Sequence, residues 1–344
     1  MAKITTSQIA EMTNLSRNTV SKALNNSNEV SEKTKELVIS TAIKMGYDKI
    51  DKKNYSKMAE KIVKDICVLV HERELKNNFW GNILKGIEEH LTVKKFRIVL
   101  GILSKIEENE LRIPPLISGN KPSGIIMMGA YNKEYYLKIK ETGIPVVSID
   151  TASDVKDNAL IMDTILSCNQ SCVYEITEHL IKKGCREIAF AGDLNHARSV
   201  RERWDGYKTA MNDYGIPISN DYLPFNEIVI GEEVNEIIDK IKNINKIPEA
   251  IVCANDNVAN KIVYGLYSKG LSVPDQVAVS GFDNYDAILP SSIKLTTVGY
   301  KIEELGMLAA KQILFRIKHP DVSLVIIKIE SHVILRESTE GLDS

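Results

Sequence analysis

Apolar positions follow two rhythms along the 344 residues. Over the first fifty they recur at helical spacing in three short segments. The first spans about Ser7–Met12, capped by Thr6 or Thr5, with Ile9 and Ala10 apolar. Asn14 follows, and asparagine tolerates the left-handed backbone that a tight turn needs. Ser16 is a good N-cap for a second helix, Arg17–Leu24, whose inward stripe is Val20, Ala23 and Leu24. Ser31 caps a third, about Glu32–Met45, and Gly46 closes it. Three short helices with a tight turn between the first two predict a helix-turn-helix domain.

From residue 65 the rhythm changes. Short apolar runs recur at Ile66–Val70, Arg97–Leu100, Gly124–Gly129, Pro145–Asp150, Glu187–Gly192, Glu249–Asp256 and Gln276–Asp283. Amphipathic segments separate them, at Gly81–Leu91, Lys133–Thr142, Cys168–Lys183, Glu202–Asp213, Glu232–Asn243, Asn257–Lys269 and Ile302–Ile317. Alternating strands and helices predict doubly wound parallel sheets, with helices on both faces. Ligands of such sheets bind beyond the carboxyl ends of the strands. Asp150, Gly192-Asp193, Asn255-Asp256 and Gly281-Phe282-Asp283 all fall there.

Charge divides the chain at the same place. The net charge of −2 is bland. Residues 1–64 hold 12 Lys/Arg against 7 Asp/Glu, whereas the remainder holds 32 against 39. A basic arm of +5 thus precedes a body of −7, which points to nucleic acid as a partner of the arm. Seven lysines crowd residues 44–64. The N-terminus lacks a signal-peptide core, and no apolar run is long enough to span a membrane. The five cysteines, odd in number and scattered, fit a reducing cytosol, so a cytoplasmic location is expected.

The second helix carries the chemistry that reads DNA. Arg17 and Asn18 can each grip a base edge bidentately, and Lys22 reaches a guanine edge or a phosphate. The hydroxyls of Thr5, Ser16, Thr19 and Ser21 suit phosphate oxygens, which position the protein without specifying sequence. In the body, no glycine-rich nucleotide loop, P-loop or nucleophile elbow is found, and the six histidines form no metal-spaced pair. An enzyme, a metal site and a cofactor are therefore not expected. Carboxylate, amide, arginine and aromatic groups at the strand ends suit a sugar instead. Phe79-Trp80 follows the first strand, and Arg201–Tyr207 follows the fifth.

The run from Ile4 through Thr19-Val20-Ser21-Lys22-Ala23-Leu24-Asn25, then Val30-Ser31 and Gly46-Tyr47, resembles the LacI/GalR family of bacterial transcription regulators. Asn14 stands where that family usually has glycine. Further family motifs run through the body: Phe79-Trp80, Gly86-Ile87-Glu88, Gly192-Asp193, Arg203-x2-Gly206-Tyr207, Asn255-Asp256, Gly281-Phe282-Asp283 and Arg336-Glu337-Ser338-Thr339. The resemblance implies a periplasmic-binding-protein type I core. It implies a dimeric repressor on a pseudo-palindromic operator, switched by a sugar in the cleft.

The residues expected to touch DNA are Thr5, Ser16, Arg17, Asn18, Thr19, Ser21, Lys22 and Asn25. Carried over by residue, the resemblance implies effector contacts at Phe79 or Trp80, Arg203, Asn255 and Asp283, and more weakly at Asp150. Asp163 matches one half of an Asp-Asn pair whose partner here is Thr164. Asp256 is read as a helix N-cap. For Trp204 and Tyr207, core packing and a ligand role stand level.

The family's hinge sequence is missing from the linker, and Tyr55 or Met58 would have to supply the minor-groove wedge. The expected layout is a headpiece at 1–48, a hinge at 49–64 and a core at 65–340. One subdomain would hold about 65–160 and 290–320, the other about 161–289 and 321–340. Two alternatives remain open. A regulator of this family can answer to a phosphocarrier protein or a non-sugar ligand, and a sugar-binding protein can lack any regulatory role.

Overall fold

A computed structural model describes residues 4–47, 64–76, 78–227, 234–244, 246–284 and 292–340. It divides into two compact units, Met1–Lys64 and Asp65–Ser344. Tyr55 and Met58 lie outside the described residues.

The first unit holds α1 (Thr6–Thr13), α2 (Arg17–Leu24) and α3 (Glu32–Met45). Each begins on a hydroxyl cap. Thr5 accepts the Gln8 N–H, and the Gln8 side chain accepts the Thr5 N–H in return. Ser16 caps α2 through the Thr19 N–H, and Ser31 caps α3 through that of Thr34. Such a cap contributes about 1 kcal/mol. Asn14 adopts the left-handed conformation the turn demands, with φ 53°. Ile9, Val20, Ala23, Leu24, Val38, Ile39 and Ala42 close the core.

The second unit is built on two sheets. The larger contains β1 (Lys64–His71), β2 (Phe96–Leu103), β3 (Gly124–Met128), β4 (Val146–Ile149), β5 (Asp163–Ser167) and β10 (Ile326–Ile329), in the order β10-β5-β4-β3-β1-β2. The smaller runs β6 (Ile188–Ala191), β7 (Ala250–Cys253), β8 (Ala278–Ser280). The pairings β1/β3, β3/β4, β4/β5, β5/β10, β6/β7 and β7/β8 are parallel. An antiparallel pair, β9 (Thr297–Gly299) with β11 (His332–Ile334), adjoins the β8 side of the smaller sheet, where the Gly281 and Asp283 N–H groups donate to Thr296 O and Val298 O.

Both faces are covered along the central strands, which explains their unbroken apolar runs, whereas edge strand β2 leaves Leu100 and Ile102 exposed. Along β1, Ile66, Val68 and Val70 enter one core, and Cys67 and Leu69 the opposite one. Helix α4 (Asn78–Val93) and α8 (Ile302–Lys318) cover the larger sheet. Helices α5 (Asn169–Lys182) and α6 (Arg198–Asp213) cover one face of the smaller, and α7 (Asp256–Ser268) the other.

The expected lobe boundaries need correction. Residues 163–167 and 326–329, both expected in the second lobe, are neighbouring strands of the larger sheet. The cause is the buried carboxylate of Asp163. It accepts Arg316 Nε and Nη2 at 2.8 and 2.7 Å and the Val325 N–H at 2.9 Å, so helix and strand are drawn to one place. The chain crosses between the sheets after Ser167, after Gly299 and after Ile329. Helix α6 also begins a turn before the expected Glu202, at Arg198.

Candidate functional site

On the helix-turn-helix unit, α2 exposes Arg17, Asn18, Ser21 and Asn25, while Thr19 and Lys22 are half-buried. Several hydroxyls expected on phosphate are already engaged locally. Thr5 closes the capping box, and Ser16 Oγ lies 2.8 Å from Thr19 Oγ1. Asn25 stands at the C-terminus of α2. Arg17 Nε donates to Thr6 Oγ1 at 3.3 Å, so its terminal nitrogens extend beyond a fixed stem. Lys22 pairs with Glu29, whose carboxyl this hydrogen bond holds below its ordinary range. Thr6, a candidate cap in the sequence, is instead the first residue of α1, and neither its contact nor that of Glu29 is set by helical spacing.

The second unit contains a cleft between the ends of the two sheets. Its walls include Phe79, Trp80, Asp150, Arg203, Asn255 and Asp283, so the six residues expected to touch an effector meet in one cavity. Glu74, His196, Ser199, Asp256 and Tyr300 join them.

Arg203 is the centre of the far wall. Nε donates to Asn169 Oδ1 at 2.9 Å, Nη1 to Ala254 O at 2.5 Å and Nη2 to Asp283 Oδ1 at 3.3 Å. Its guanidinium lies 3.6 Å above the Phe282 ring. A guanidinium has five N–H groups, so one on each terminal nitrogen is left for a ligand. Tyr300 Oη donates to the same Asp283 oxygen at 2.7 Å, and burial raises the Tyr300 pKa. The Gly-Phe-Asp run thus has a reason at each position. A Cβ on Gly281 would stand 2.1 Å from Asp256 Oδ1; Phe282 supports the arginine; Asp283 orients it.

The near wall is aromatic. Phe79 and Trp80 meet edge to face at 5.2 Å, and Trp80 Nε1 donates to Glu74 Oε2 at 2.6 Å. The indole plane is fixed by that hydrogen bond, which is what a stacking platform needs.

Asp150 ties the two walls together. Its carboxylate accepts Ser199 Oγ at 2.5 Å and the Ser199 N–H at 3.2 Å, at the start of α6. The Arg198 N–H donates to Thr151 O at 2.8 Å, and the Arg198 side chain pairs with Asp157 and Glu202. Burial raises the Asp150 pKa, and the hydrogen bonds from Ser199 and Thr151 oppose that rise. Asp150 and Asp283 both hold positive φ, 68° and 100°. Such strain in non-glycine residues gathers at functional sites. Nearby, Arg73 Nη2 donates to His196 Nε2 at 3.2 Å. Burial, then the charge of Arg73, push the His196 pKa down to about 4, so the ring is neutral near pH 7.

Two expectations change in detail. The N-cap of α7 is Asn255, whose Oδ1 accepts the Val258 N–H at 2.9 Å. Asp256 is the first helical residue instead, buried and accepting from Thr297 Oγ1 at 2.6 Å. Trp204 and Tyr207 belong to the core: they pack on each other and on Phe190, and Tyr207 Oη donates to Ile188 O. Ser199, Tyr300 and His196 escaped sequence reasoning, since a lone serine, tyrosine or histidine at an element's edge has no pattern.

Residues 5–49 match the family model for bacterial regulatory proteins, lacI family, and residues 177–339 match that for the periplasmic binding protein-like domain. The chain belongs to the LacI family. It is a DNA-binding transcriptional regulator. Catabolite control protein A of Priestia megaterium is 25% identical over 343 residues, covering 98% of this chain and 99% of that one. A solved complex of the transcriptional regulator CelR with cellobiose superposes with TM-score 0.65 at 22% identity, covering 98% of this chain and all of that one. The lac repressor dimer bound to operator and the anti-inducer ONPF gives TM-score 0.64 at 19% identity, covering 98% and 99%. These two likenesses establish the common LacI-family fold.

Proposed function

We propose that this LacI-family chain is a homodimeric repressor of a pseudo-palindromic operator, switched by a carbohydrate in the cleft of its body. The observation that carries the reading is the buried Arg203–Asp283 pair facing a fixed indole across the cavity. A pyranose or furanose offers hydroxyls to the arginine and carboxylate and an apolar face to the ring. The solved complex of CelR with cellobiose shares the fold of this chain.

The mechanism is a difference in affinity between two arrangements of the sheets. A ligand touching Trp80 and Asp150 on one side and Arg203 and Asp283 on the other favours the arrangement that brings all four to it. The Asp150–Ser199 contact is the part of the closure already made within the protein. In a dimer, a change at the cleft alters how two headpieces meet half-sites one helical turn apart.

In the headpiece, Arg17 and Asn18 read base edges, with Lys22 beside them. Thr5, Ser16, Thr19, Ser21 and Asn25 frame the phosphate backbone through hydroxyl, amide and N–H groups. Arg17→Ala is expected to lower discrimination at one operator position by about 1–3 kcal/mol, and base-by-base titration of operator variants measures this. A loss spread evenly over all sequences would instead make Arg17 a phosphate ligand.

Asp283→Ala tests the cleft. Sugar should cease to change operator affinity, while operator binding itself persists, as read by fluorescence anisotropy with and without sugar. An intact sugar response in this variant contradicts the assignment.

A further inference from the structure

The cleft continues past the cavity just described. An outer chamber of about 540 Å³ of empty space, partly open to solvent, lies beside it. Ala130 and His196 line both chambers and so form the partition between them. Arg73 reaches both: its Nη2 donates to His196 Nε2 at 3.2 Å and to Ala130 O at 3.4 Å. A neutral imidazole held by one half-exposed side chain can turn aside without unfolding any element.

The chambers differ in chemistry. The inner one has an aromatic wall and a buried arginine–carboxylate pair. The outer one is walled almost wholly by polar groups. Lys133, Glu134, Asp154 and Asn195 line it, and their side chains have no hydrogen-bond or ion-pair partner among the described residues. They supply unused donors and acceptors together, in the mixture that vicinal hydroxyls satisfy. Lys105 and Lys133 face Glu108, Glu134 and Asp154, so the chamber has no positive excess with which to hold a phosphate. A monosaccharide between Trp80 and Arg203 would leave all four unused groups to solvent.

We infer that the effector is an uncharged disaccharide, one ring between Trp80 and Arg203 and the second beyond His196 in the outer chamber. The inference rests on the carbohydrate reading of the inner cleft.

Isothermal titration calorimetry on the full chain separates the two ideas. The probes are glucose and galactose, with cellobiose, maltose, trehalose, lactose and melibiose. One disaccharide is expected to bind at least about tenfold more tightly than its constituent monosaccharides. In the double variant Lys133→Ala, Asn195→Ala, that ratio should fall to near one. A monosaccharide that binds as tightly as every disaccharide containing it, through a site lost in Asp283→Ala, overturns the two-ring inference and leaves the inner cleft standing. A preferred disaccharide whose ratio is unchanged in the double variant also overturns the outer chamber's role. No heat with any sugar of either size overturns the carbohydrate reading, and this inference with it.

Discussion

Arg316→Ala is expected to destabilise the body by about 3–5 kcal/mol, the range for breaking a buried ion pair from one side. Arg316 sits on α8 and is 5% exposed; Asp163 begins β5 and is fully buried. The pair is bidentate, at 2.8 and 2.7 Å. The remaining guanidinium N–H groups hold the carbonyls of Val322 and Ser323 in the loop that leads to β10. Gln312 Nε2 and the Val325 N–H complete the shell around the carboxylate. Removing the arginine leaves Asp163 charged and dry and frees the loop that aligns the edge strand. Urea denaturation measures the loss. An Asp163→Leu, Arg316→Met double variant should recover much of it, because an apolar pair leaves no uncompensated charge. A loss below about 1 kcal/mol in Arg316→Ala would mean that water reaches the carboxylate and that the pair is not an anchor.

Gly206→Ala should disturb both stability and the cleft. A Cβ at Gly206 would stand 2.2 Å from Gln170 O and 3.0 Å from the Tyr174 N, both backbone atoms of α5. No side chain can give way there, so α6 must move off α5. Overpacking of this kind costs about 1–3 kcal/mol. Three residues earlier on α6 is Arg203, and at its start are Arg198 and Ser199. Displacing the helix therefore draws the arginine from Asp283 and Ser199 from Asp150. The expected result is a lower melting temperature with weaker sugar binding, while operator binding by the folded protein persists. Calorimetry and anisotropy on one preparation test this. An unchanged melting temperature would show that the helices separate without strain.

The Arg-x2-Gly-Tyr motif is thus three physical requirements within about one turn of one helix. Arg203 lines the cleft, Gly206 admits the neighbouring backbone, and Tyr207 anchors the helix on Ile188 O. The sequence shows the motif but not the reasons, since all three partners are distant in the chain.

Helix caps, the turn at Asn14, the two-unit division of charge and the alternation of strand and helix were legible because each depends on residues within a few positions of one another. The six cleft residues were legible too, through the resemblance and their places at strand ends. Other facts are absent from any local pattern. A short apolar run looks the same in either sheet, and only a buried carboxylate seeking Arg316 decides that Asp163–Ser167 pairs beside Ile326–Ile329. A serine at a helix start becomes the partner of Asp150 only once two sheets face each other. Local spacing and side-chain chemistry were enough to assign this chain its elements and to single out the groups that line its cleft. Tertiary structure alone decided which strand joins which sheet and which groups share the cleft, because burial forces polar partners together regardless of their distance along the chain.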